Sequence, residues 1–175
     1  MTTTGGSRFL RAVDRVPHER LAELVSAAAY GSALVLAALS VLGVTEVSLG
    51  HGAELIAGVG IATWIAHLFA EVLGEHVRAP QPVGWSEVKR AMADGSPILV
   101  SSLLPALVLL LGRLDAVSPR AARAIAIIVA ILQLLAVGML VARVANVPMR
   151  RKWVFAAATL AIGIVVVTLS VVLGH

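Results

Sequence analysis

The stretch LIAGVGIATWIAHLFAEVL, residues 55–73, decides how the chain must fold. A membrane-crossing helix needs about 20 mostly apolar residues. This run supplies them, with only His67 and Glu71 as ionisable interruptions. The rest of the chain agrees. Of its 175 residues 59% are hydrophobic and 14% charged, and the mean hydropathy is +0.94. Soluble domains carry about a quarter charged residues. The deficit predicts an all-α, polytopic integral membrane protein.

Four further segments reach spanning length without a charged residue: 24–44, 95–112, 124–142 and 153–174. Five transmembrane helices are therefore expected, as one domain over 23–175 behind a tail at 1–22. Pro17 would break any amphipathic helix in that tail. The basic tail runs straight into an apolar segment of spanning length, so it reads as leading a retained first span and not a cleaved signal. Residues 95–112 contain Pro97 and Pro105. A short helix before them is expected to start at Ser86, with its hydroxyl as N-cap and Trp85, Val88 and Met92 on an interfacial face. Ser118 and Pro119 read as N-cap and first position of the fourth span.

Lys and Arg between the spans set orientation. With the N-terminus in the cytoplasm, eleven fall inside and three (Arg113, Arg120, Arg123) outside. The expectation is N-terminus in and C-terminus out, in a bacterial-type plasma membrane. The net charge of +4 is therefore topological and does not point to nucleic acid. With no cysteine, disulfides and thiolate metal sites are excluded. There is no Gly-rich phosphate loop, nucleophile elbow or basic face interleaved with aromatics. Neither an enzyme nor a cofactor is expected.

Two rows run along the second span. Gly58, Ala62, Ala66, Ala70 and Gly74 recur every four residues and form a small-residue stripe, which suits close helix approach. Thr63, His67, Glu71 and Glu75 form a polar row about 100° around the helix. Glu75 and His76 are expected at the cytoplasmic interface, Glu71 one turn deeper and His67 one turn deeper again. Facing lipid, an ionisable residue costs several kcal/mol, so His67 and Glu71 should face the bundle or a dimer seam. Antiparallel pairing with the first span would bring Tyr30 and Ser26 near Glu71, and Ser32 near His67. Tyr30 could then donate to Glu71. The i, i+4 spacing suits mutual pairing or two ligands of one divalent ion. The missing ligands would come from a symmetric copy or from His18 and Glu19. His67, Glu71 and Glu75 are thus the candidate metal ligands, and Tyr30, Ser32 and Thr63 the candidate path lining. A polar cluster that only fixes packing is the competing reading. Gln133, Ser101 and Ser102 read as interhelical hydrogen-bonding groups, His51 and Glu54 as solvated loop residues. Asp94 reads as interfacial, with the option of joining an inner acidic cluster.

Residues 55–77, LIAGVGIATWIAHLFAEVLGEHV, resemble the second transmembrane helix of the vacuolar iron transporter family, which ends in a Gly-Glu-Tyr-like motif, here Gly74, Glu75 and His76. Tyr30 and Gly31 resemble the start of that family's first-helix signature. SSLLPALVLLLG (101–112) resembles its third helix and GMLVARVANVPMRRKW (138–153) its fourth-to-fifth connection. The likeness covers roughly residues 24–174. It implies five spans, a homodimer and transport of a divalent cation of the iron or manganese type. The chain also departs from the pattern. Leu34 stands where the family's path-lining Asp is expected, Glu71 where it keeps a Met, and His67 at a position that is often Asp. RAPQPVGW (78–85) replaces a long acidic insert.

The expected function is therefore a divergent carrier of a divalent cation, working as a homodimer in lipid, with Glu71 able to exchange a proton for the ion. The alternatives are a non-transporting scaffold or accessory subunit, and a proton or small-ion path through His67 and Glu71.

Overall fold

An apolar run of spanning length satisfies its own backbone amides and carbonyls when it is helical. The computed structural model describes residues 18–48, 50–78, 84–114 and 116–144, with single positions between 154 and 172. Their regular structure is helical throughout: α1 (His18–Val41), α2 (Val44–Ser48), α3 (His51–Arg78), α4 (Trp85–Asp94), α5 (Ser96–Arg113) and α6 (Pro119–Val144). α1, α3, α5 and α6 each contain a stretch long and apolar enough to cross a membrane. The expected fifth span, 153–174, lies outside the described residues except for single positions such as Val154, Gly163 and Thr168, which are helical. The reading of residues 1–17 lies outside them as well. α1 already includes 18–22, which were assigned to the tail.

Two helix starts follow from local chemistry, and one of them differs from expectation. Pro119 opens α6, and the Ala121 amide donates to Ser118 Oγ at 3.3 Å, as anticipated. α4 starts at Trp85, one residue before the expected start. Gly84 is its N-cap, and the Gly84 amide donates to Glu87 Oε2 at 2.7 Å. A glutamate three positions into a helix can reach back over the first turn, so it replaces the Ser86 hydroxyl in that role.

α5 is the central helix, packed against α1, α3 and α6. Lipid tails are as apolar as leucine, so membrane helices are held mainly by close van der Waals fit. The fit comes from small residues. A Cβ on Gly112 would stand 2.7 Å from the Ala122 Cβ, and one on Gly31 would stand 2.9 Å from the Ile98 Cα. Ala122, Ala126 and Ala130 of α6 form a fully buried stripe against Val35, Leu36 and Leu39 of α1 and Leu109 of α5. Ser101 and Ser102 were expected to bond between helices. Their hydroxyls instead donate within α5, to the Ile98 and Leu99 carbonyls at 2.6 and 2.9 Å. Gln133 Oε1 is buried without a partner among the described residues.

At the end where α1 finishes, Arg123 Nη2 donates to the Ser40 carbonyl at 3.0 Å and so caps α1. Arg113 Nη1 lies 3.5 Å from Glu54 Oε1, and its stem packs on Gly50, whose φ of +84° favours glycine.

α3 runs antiparallel to α5. Gly60 is seated on the Ser102 side chain, and His67 on Gly95. Seven residues separate the partners on each helix, so the register holds along this length. α5 has 18 residues, or about 27 Å, and α3 has 28, or about 42 Å. The final turns of α3 therefore pass the start of α5.

Candidate functional site: the α1–α3 groove

Between α1 and α3, near the end where α1 begins, lies an open groove of about 340 Å³. Ser26, Ala27 and Tyr30 form one wall, and Ala66, His67 and Ala70 the other. The polar row of α3 continues the face that carries Gly52, Ile56 and Gly60 onto the rest of the bundle. That face brings His67 and Glu71 partly under cover, with side chains 29% and 28% exposed.

His67 Nε2 and Glu71 Oε2 stand 3.5 Å apart. This is too long for a good hydrogen bond, which runs to about 3.2 Å. It suits a shared ion, because two ligand atoms about 2.1 Å from one tetrahedral centre lie about 3.4 Å apart. Among the described residues no three His, Asp or Glu side chains gather as a metal site. The described residues thus offer two of the ligands a divalent ion would need.

The other candidates scatter around this pair. Tyr30 lines the groove and is 55% exposed, and no hydrogen bond joins it to Glu71. Ser32, expected beside His67, is instead buried at 1% exposure and is absent from the groove wall. Thr63 is half-buried one turn before His67 and also off the wall. Glu75 is exposed one turn beyond Glu71. The side chains of His18 and Glu19 lie outside the described residues.

His67 is level with the α4–α5 joint, where it packs on Gly95. One expectation about α3 changes. The small stripe, expected to be the close-packing face, is divided: Ala66 and Ala70 line the groove, whereas Gly58 and Ala62 are exposed, and a Cβ on Gly58 would meet open space. Only 11% of α3's spanning stretch is buried, against 39% for α1 and for α5. α3 is thus the least covered of the four.

Asp94 carries more structure than an interfacial acid would. Its side chain is 5% exposed, with Oδ1 3.0 Å from Arg20 Nε and Oδ2 3.5 Å from Arg90 Nε. Arg90 is visible in the sequence as an i, i+4 partner. Arg20, 74 residues away, is not. Trp64 Nε1 donates to the Met92 carbonyl at 3.3 Å and ties α3 to the same joint. Compared with known proteins, the chain matches no family model, no curated protein and no solved structure.

Proposed function

We propose that this chain is an integral membrane carrier of a divalent cation, of the iron or manganese type, which works as a homodimer. It has five spans, with the N-terminus in the cytoplasm and the C-terminus outside. The observation that carries this reading is the His67–Glu71 pair, 3.5 Å apart and partly covered beside an open groove. Imidazole and carboxylate suit divalent first-row metals. The exposed Gly58 and Ala62 of α3 support a partner helix there, which would add a second His67 and Glu71 and complete four ligands. The resemblance of residues 55–77 and 138–153 to vacuolar iron transporter segments supports the five-span scaffold, with Leu34, His67 and Glu71 replacing the family's path-lining side chains. Glu71 takes up a proton as the ion leaves.

Uptake of Fe²⁺, Mn²⁺, Co²⁺ and Zn²⁺ into proteoliposomes tests the proposal, with and without a proton gradient. Native protein should move at least one of them, and the double variant His67→Ala, Glu71→Ala should not, while keeping its helical spectrum. Absence of uptake by the native protein under either condition ends the carrier reading. A scaffold is the second reading, favoured by the absence of any third ligand near the pair among the described residues. Co-purification of a fixed partner together with zero flux would select it.

A further inference from the structure

The two walls of the groove touch each other less than either touches α5. α1 and α3 pack mainly on α5, and they meet again at the α4–α5 joint. The joint grips α3 through two contacts. Trp64 donates to the Met92 carbonyl at 3.3 Å, and Gly95 lies so close that a Cβ there would stand 3.1 Å from His67 Cδ2 and 3.2 Å from Trp64 Cδ1. Its polar link to α1 is Asp94, whose Oδ1 takes Arg20 Nε at 3.0 Å. Arg90, the second cation on that carboxylate, belongs to α4 itself and so ties nothing across elements.

We infer that Asp94 is a clasp: by holding Arg20 of α1 to the joint that seats Trp64 and His67 of α3, it sets the width of the groove. Asp94 is a positioning residue, outside the wall of the groove. Six residues, or about 9 Å of helix, separate Arg20 from Ser26, the first wall residue of α1. Freeing Arg20 lets the first turns of α1 swing about its packed middle, where Gly31 is seated on Ile98 of α5, while its far end stays held by Arg123 on the Ser40 carbonyl. The groove then widens beside His67. A buried carboxylate keeps its partners because an unpaired charge there is strongly unfavourable, so the clasp is closed by default. The importance of groove width rests on the proposed function, whereas the clasp itself is a statement about helix positions and is read without transport.

The chain has no cysteine, so a single introduced thiol reports on the groove. Ala66→Cys places one on its wall, and Ser48→Cys, exposed in α2, serves as a distant control. The measurement is the labelling rate with a charged methanethiosulfonate, using full-length protein in vesicles opened to both faces. Asp94→Asn and Arg20→Gln should each speed labelling at 66 about tenfold, equivalent to about 1.4 kcal/mol. The two together should do no more than either alone. Arg90→Gln should leave the rate within about twofold, and labelling at 48 should not change. Arg20→Gln leaves Asp94 paired with Arg90, so it keeps the test decisive if Asp94→Asn fails to fold. An unchanged rate at 66 in Arg20→Gln overturns the clasp. So does a parallel rise at 48, which signals general loosening, or additive effects of the two substitutions. Absent uptake with a selective rise at 66 removes the carrier and leaves the clasp.

Discussion

Gly60→Val tests the register on which the site depends. Gly60 sits on Ser102 so closely that an added Cβ would overlap both the Ser102 Cβ and Oγ, whereas at Gly58, on the next face of α3, it would meet nothing within 4 Å. Valine at either position has the same helix propensity and the same lipid-compatible surface. The difference between Gly60→Val and Gly58→Val therefore isolates packing against α5. Forcing extra methyl groups into a packed interface costs about 1–3 kcal/mol. In a chain of this size 1 kcal/mol moves the melting temperature by about 2–4 °C. Gly60→Val should melt about 4–8 °C below Gly58→Val, followed by circular dichroism in detergent. Ser102→Gly should recover more than half of that loss, since the Ser102 hydroxyl bonds only within its own helix, to Leu99 at 2.9 Å. Neighbouring sites of this kind are expected to be non-additive. Equal melting of the two valine variants, or no rescue by Ser102→Gly, would refute the α3–α5 register. It would also remove the ground for placing His67 at the α4–α5 joint.

Gly58→Leu, which fills the open stripe of α3, should change monomer stability by less than about 0.5 kcal/mol while abolishing the dimer; size-exclusion chromatography with light scattering reads both species, and a persistent dimer would move the seam elsewhere. Arg123→Met removes the donor on the Ser40 carbonyl and should cost about 1 kcal/mol, or about 3 °C in melting temperature; no shift would deny the cap. Arg113→Ala breaks an exposed pair with Glu54 and should leave the melting temperature within about 2 °C, because such pairs contribute about 0–1 kcal/mol. Reporter fusions should place the N-terminus in the cytoplasm and the C-terminus outside; the reverse result would overturn the orientation drawn from Lys and Arg.

Much of the helical layout was legible because it depends on local or additive quantities. Apolar length marked the runs that became α1, α3, α5 and α6, and Ser118 with Pro119 marked a helix start through the hydrogen bond that is observed. The pairing of His67 with Glu71 was legible too, because i, i+4 neighbours on a helix meet whatever the fold around them. The inward faces were not legible. In water a buried face is marked by its apolarity, but beside lipid both faces are apolar and that signal vanishes. Gly58 and Gly60 look alike in the sequence, and only contact with Ser102 separates them. For the same reason the buried alanine stripe of α6 passed unnoticed while the exposed stripe of α3 drew attention.

What the sequence by itself determined is a set of apolar helices long enough to cross a membrane, with one ionisable pair set a single turn apart. The tertiary structure alone decided where that pair stands. An 18-residue α5 beside a 28-residue α3 brought His67 to the α4–α5 joint, and α1 closed a groove around it. It alone also joined Arg20 to Asp94 across 74 residues, since a buried carboxylate takes whichever cation the packing brings within reach.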